Sequence, residues 1–388
     1  MQKSYIVLLF TWISWFWSHG TRVGISAVTP FLRQRYSMST AEAAAVPGIF
    51  NLGFYIFAVL SGRVPGKIGF KKTAAIAAVG ASAMMILASL FDSKFILYGL
   101  VFAAGIFLSL HLPSAIPWLG TLFKGGRQGF YIGIHESAAP AGQTFGPIVL
   151  ALLFSLLGTQ FSFLIWAFIP FLAGVGILAA FYGDKKSETT RPALSGGVWH
   201  GPSFYALSLV TVANLVGNLG VVAIVPLHLV DTFGLDKAFV ATIVGVSRFL
   251  GVFGQPLGGY LHDKHGFFRM ATILTIVNFL SNIYLAIGPF NIVYLAAMTV
   301  QAFATAMYFP LIYSYLVKLH GPDASRYLGK MFFIAGIAGP TTAPILAGFL
   351  AQNINYTAAL LYPTALAFIG VVQVLSLSRK QAKSSAYI

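Results

Sequence analysis

Twelve apolar stretches, each about as long as a bilayer core is thick, occupy most of this 388-residue chain. About 20 apolar residues of helix cross a hydrocarbon core. On that measure the spans are 5–32, 42–61, 72–91, 94–122, 129–155, 161–182, 203–230, 239–261, 269–287, 291–317, 329–352 and 357–378. Lipid offers no water to a stray N–H or C=O, so each run has one solution, a helix that closes its own backbone bonds. Only 9% of residues are charged, where a soluble domain carries about a quarter. The chain therefore reads as an all-α membrane protein with twelve transmembrane helices. Its first run exceeds a signal-peptide core and no small-residue cleavage site follows, so it reads as a retained first helix.

The net charge of +15 is an orientation signal. With the N-terminus cytoplasmic, eighteen lysines and arginines fall on the inner side, and only Arg33, Arg35, Lys94 and Lys237 on the outer. That asymmetry satisfies the positive-inside rule in one topology, with both termini cytoplasmic in the inner (cytoplasmic) membrane. A basic balance so distributed speaks for contact with anionic lipid and against nucleic acid.

The chain also repeats itself. GRVPGKIG (62–69) and GYLHDKHG (259–266) each follow an even-numbered span, 197 residues apart. The same offset pairs Pro113 with Pro310, Gly142 with Gly339 and Pro147 with Pro344. Two pseudo-symmetric six-helix bundles are expected, 1–182 and 203–388, joined by a polar cytoplasmic linker at 183–202. The loop GYLHDKHGFFR (259–269) resembles the signature loop of major facilitator transporters, with Gly259, Asp263, Lys264, Gly266 and Arg269 in place. The first-half copy keeps Gly62, Lys67 and Gly69 but has Gly66 where the acid belongs. The resemblance implies parallel repeats, substrate held near mid-membrane between them, and a gating role for both loops. In helix 5, Gly133, Gly142, Gly146 and Pro147 partly match a glycine pattern of family antiporters, whose closing glycine pair is replaced by Leu150 and Ala151.

Three charged residues stand inside spans: Arg22, Arg248 and Glu136. A charge at the bilayer centre costs at least ~2.5–3.5 kcal/mol on insertion scales, so each is a candidate for function. Across the repeat Arg22 aligns with Asn218 and Asn51 with Arg248, so each half supplies one arginine and one asparagine. Two guanidiniums approaching from opposite halves suit an anion, which they bind bidentately without ever losing charge. Asn51, Asn218, His111, Tyr308, Asn214 and Gln301 are expected to complete its shell, with Gln143 a further donor. Glu136, with His135 or His19, is expected to couple protons: protonated, it leaves the set at net +2, which favours an anion. The competing reading makes the arginines structural, pairing with Glu136 or with helix-end carbonyls.

No phosphate loop, hydrolytic triad or clustered metal spacing is present, so neither an enzyme nor a cofactor is expected. The sequence reads as a monomeric, proton-coupled symporter of a small organic anion, a carboxylate or organic phosphate. The alternative is proton-driven efflux of multidrug or metabolite type, which the helix 5 glycines favour and the scarcity of intramembrane acids opposes. A receptor on the same fold would need a soluble domain or long tail, and only ten residues follow 378.

Overall fold

In the computed structural model the described residues are 2–123, 128–179, 202–320 and 324–385, and their regular structure is helical. Twelve rods follow in order. α1 is Gln2–Ala27, prolonged beyond a bend by Thr29–Arg35; α2 is Thr40–Ser61 and α3 is Phe70–Leu90. α4 is broken into Lys94–Leu108 and His111–Leu122. α5 is broken into Gln128–Glu136 and 138–157, and α6, 159–179, follows a reversal at Gly158. α7 runs from Pro202–Leu215 through a π-turn, Val216–Gly220, to Val225–Phe233. α8 is Lys237–Val246 and Gly251–His265, α9 Phe267–Ile287 and α10 Ile292–His320. α11 runs Ala324–Gly336, a second π-turn at Ile337–Thr341, then Thr342–Asn353; α12 is Tyr356–Ser385.

Ten described helices are long and apolar enough to cross a membrane, and one of them, Tyr131–Ala179, holds two spans. The rod outside that set is α1, which carries Trp12, Trp15, Trp17, His19 and Arg22. The expected linker at 183–202 lies outside the described residues, except that Pro202 opens α7.

The internal repeat is visible in backbone geometry. Gly69 (φ 90, ψ 160) and Gly266 (φ 78, ψ 162) occupy one conformation, 197 positions apart, each at the N-terminus of the third helix of its half. A β-carbon is strongly disfavoured there, so the turn that aims α3 and α9 back into the bilayer is built on glycine. Of the loop charges, Asp263 pairs with Lys318 at 2.8 Å, both exposed and both in the second half. Lys264 and Arg269 are exposed, and Gly259 faces open space.

Within the first half, backbones touch where glycines face each other. A β-carbon on Gly142 would strike the carbonyl of Phe16, and one on Gly146 would strike Gly20, so α1 and α5 lie in direct contact. Gly142 and Gly146 of the antiporter-like pattern are thereby accounted for as helix packing, in which small residues let helices approach closely, whereas Gly133 faces open space. Gly53 and Gly105 seat α2 on α4 in the same way.

The halves meet through α2 with α11 and α5 with α8. Polar ties between them run from mid-membrane to the face away from the termini. Arg33 pairs with Asp231, which also accepts the Tyr356 hydroxyl, and Lys237 donates to Gln34. Ala41 N–H donates to Gln352 Oε1 at 3.1 Å. That face is closed.

Burial alone would raise the pKa of Asp231, but hydrogen bonds from Arg33 and Tyr356 outweigh it and hold the carboxyl below its usual value. Because the shift is downward, the latch is complete above the ordinary aspartate pKa of about 3.9 and is lost as pH falls through the lowered value. Asp231→Asn should weaken this closure by about 1 kcal/mol, roughly a fivefold shift in population, wherever Asp231 is ionised, and should make little difference once acid has protonated the wild type. The chain has no cysteine of its own. A single cysteine replacing Phe31, which lies beneath Lys237 of the other half, would report the opening as a faster alkylation rate. An unchanged rate would mean that the charged pair does not hold the face shut.

Candidate functional site

Of the charged and imidazole side chains inside the bundle, His111, His135, Glu136 and Arg248 stand at helix breaks, while His19 and Arg22 stand on α1. Arg22 projects from unbroken α1, on the same face as His19 and Trp15, which precede it by one and two turns. It is 5% exposed, with its guanidinium carbon 3.9 Å from the centre of the Phe54 ring and 5.2 Å from that of Tyr55. Its Nε and Nη2 have no hydrogen-bond partner. A cation–π contact of this kind contributes ~2 kcal/mol when desolvated, well short of the several kcal/mol lost on burying the ion.

Arg248 stands between the two pieces of α8, where the backbone switches to i→i+3 bonds such as Gly251 N–H to the Arg248 carbonyl, 2.9 Å. It is 4% exposed. Nη2 donates to the carbonyl of Asn218 at 2.5 Å and Nη1 to Gln143 Oε1 at 3.0 Å, while Nε is unpartnered. Asn218 lies in the π-turn of α7, and such turns recur at functional sites because they free backbone groups for other partners. Its amide donates to Thr305 at 3.1 Å. Gln143 reaches on to His19, Nε2 to Nδ1 at 3.1 Å. Arg22, Arg248 and His135 all lie within electrostatic reach of His19.

Glu136 and His135 end the first piece of α5. The Glu136 side chain is 39% exposed and its Oε1 lies 3.0 Å from His135 Nδ1. His135 is buried, and its Nε2 stands 3.1 Å from His111 Nε2, just past the break in α4. The three groups form a line, Glu136–His135–His111, ending at an unpartnered His111 Nδ1. Trp15 stacks on both imidazoles, with centroids 5.2 Å from His111 and 6.2 Å from His135, and meets His19 edge-on at 4.4 Å. His111 is thus placed beside Glu136 and His135, in contrast to its expected position beside the arginines.

Neither arginine makes an ion pair among the described residues, and Glu136 bonds to His135 instead. Asn51 donates to the Pro47 carbonyl at 2.9 Å and, across the halves, to that of Pro340 at 3.4 Å in the second π-turn, leaving Oδ1 free. The structure does not bring Tyr308, Asn214 or Gln301 to this cluster. Tyr308 is fully buried in the second-half apolar core, with its hydroxyl 2.9 Å from Thr211. Asn214 ties α7 to Thr275 of α9. Gln301 donates to the Gly217 carbonyl at 2.5 Å and supports the π-turn. All three sit where a helix needs a polar clasp, a use that residue type and depth alone do not distinguish from lining a cavity. Trp15, Phe54 and Tyr55 were missed, as was Tyr313 of α10, within electrostatic reach of Arg22, Tyr55 and Glu136. The i, i+4, i+7 spacing of Trp15, His19 and Arg22 was the available signal.

The sequence matches the family described as Major Facilitator Superfamily over residues 6–291 and 207–386. Among curated proteins it is 23% identical to the probable sulfoacetate transporter SauU of Cupriavidus necator, covering 91% of this chain and 88% of that one. It is 22% identical to the uncharacterized MFS-type transporter YuxJ of Bacillus subtilis, covering 87% and 88%. Among solved structures, an inward-facing, unoccupied bacterial homologue of the human lysosomal transporter Spinster superposes with a TM-score of 0.82 at 15% identity, covering 98% of each chain. A peptide transporter in complex with sulfate superposes with a TM-score of 0.77 at 12% identity, covering 96% and 94%.

Proposed function

This chain belongs to the Major Facilitator Superfamily, and on that premise we propose that it carries a small organic anion across the cytoplasmic membrane by alternating access, coupled to protons. The observation that carries this reading is the Arg22 guanidinium, desolvated, capped by Phe54 and Tyr55, and without an acid of its own among the described residues. A permanent cation so placed is stabilised when a carboxylate, sulfonate or phosphate oxygen reaches it. The resemblance to a protein named as a probable sulfoacetate transporter points the same way. Arg22 would anchor the anion from the first half, with Asn51 beside it on α2 and Arg248 facing it across the seam.

The line Glu136–His135–His111 would carry the coupling proton. Glu136 is its exposed end, on the side of the bundle that bears the termini, and the imidazoles pass a proton inward by exchanging tautomers. With the termini cytoplasmic, as the charge asymmetry favours, the closed face is the outer one. The segment 183–202 would tether the halves on the cytoplasmic side.

Thermal unfolding of the purified protein against a ligand panel tests the reading. Short carboxylates, sulfonates or organic phosphates should raise the midpoint, while neutral sugars and cationic dyes should not. At a hundredfold excess over Kd the stabilisation is about 2.7 kcal/mol. Stabilisation confined to cationic compounds would end the anion reading and favour efflux.

A further inference from the structure

Gln143 holds a position between the halves that its residue type suits for one purpose. It projects from α5 of the first half, accepts Arg248 Nη1 from α8 of the second at 3.0 Å, and donates to His19 of its own half at 3.1 Å. Among the described residues its amide is held by these two side chains and by no backbone group, so a competing anion has only side-chain bonds to displace. Just beyond it the same two helices are in contact, since a β-carbon on Gly245 would meet the Thr144 carbonyl. Among the described residues Arg248 is otherwise satisfied only by the carbonyl of Asn218, and its Nε is unpartnered.

A guanidinium bonds to an ionised acceptor about twice as strongly as to a neutral one. An amide oxygen is therefore a weak partner for a buried arginine, good enough to hold it and poor enough to be replaced. Glutamate would hold it permanently, and an apolar residue would leave it bare. We propose that Gln143 is a neutral stand-in for substrate: it occupies Arg248 in the empty carrier and thereby ties the halves together, and the arriving anion displaces it and releases the tie. The proposal rests on the anion reading of the site and adds what the anion does on arrival. The tie opens when Arg248 changes partner, so the empty carrier reorients slowly and exchange of substrate for substrate outpaces net flux.

The Phe31→Cys reporter, with sulfoacetate as probe, separates the outcomes. In the ligand-free state Gln143→Ala should open the far face as sulfoacetate opens the wild type, raising cysteine alkylation roughly tenfold for the loss of one bond to a charged group. In proteoliposomes its ratio of exchange to net flux should fall toward one. Gln143→Glu, which keeps the size and adds the charge, should keep the face shut and abolish sulfoacetate binding, with an unfolding midpoint no lower than wild type. An unaltered reporter and flux ratio in Gln143→Ala would overturn the proposal, as would sulfoacetate binding by Gln143→Glu at wild-type strength. A failed anion reading is distinguishable, because the wild type itself would then bind neither sulfoacetate nor any other anion of the panel.

Discussion

Arg22→Met should remove transport while leaving the empty carrier as stable as the wild type, or more so. The two effects have opposite causes. Burying an unpaired guanidinium costs several kcal/mol, and the Phe54 and Tyr55 rings return only part of it. An apolar side chain of similar length fills the same space without that penalty, and exchanges of this kind are commonly neutral or stabilising by 1–4 kcal/mol. Transport should suffer in the other direction. Deleting one member of a desolvated charge pair costs about 3 kcal/mol, more than a hundredfold in apparent affinity. Arg22→Lys should fall between, because an ammonium keeps the charge and loses the two-pronged geometry. Uptake into proteoliposomes and the unfolding midpoint of the same preparations test this together. A destabilised Arg22→Met with substrate binding intact would make Arg22 a structural residue.

Glu136→Gln should uncouple the carrier. The amide cannot take up or release a proton, yet it retains an oxygen that can accept from His135 Nδ1, so the line to His111 keeps its geometry. Accumulation of substrate driven by a pH gradient should disappear. Exchange of substrate across vesicles at equal pH, which needs no net proton movement, should persist within about threefold, the cost of a partly exposed hydrogen bond. Loss of both activities would assign Glu136 a structural part. Retention of gradient-driven accumulation would remove the proton line altogether.

Sequence reasoning reached the architecture because lipid leaves a chain few choices. Span lengths, the 197-residue offset and the matched turns at Gly69 and Gly266 all follow from backbone requirements that leave marks in composition. The breaks in α4, α5, α7, α8 and α11 were not foreseen, since an interrupted apolar run looks the same as a continuous one. They decide where the polar groups go. Arg22 and Arg248 stood out because a charge inside a span is costly and therefore rare. Tyr308, Asn214 and Gln301 did not separate from cavity residues, because an amide or hydroxyl that clasps two helices has the same residue type and depth. His111 was singled out, but its pairing with His135 depends on two helix breaks coming level, which no spacing within either helix reveals.

The backbone contact of Gly20 with Gly142 and Gly146 has a mechanical consequence. Helices that touch at bare backbone have no side chains to slide over, so α1 and α5 behave as one beam. Arg22 and His19 ride on one member of that beam and Gln143 on the other, while His135 and Glu136 end the first piece of α5, beyond the break. When the halves rock, Arg22, His19 and Gln143 travel as a fixed unit. The His19–Gln143 contact is therefore carried through the cycle like cargo bolted to one frame, and any proton that Glu136 takes up on the proposed reading must be felt at Arg22 across the one joint in α5.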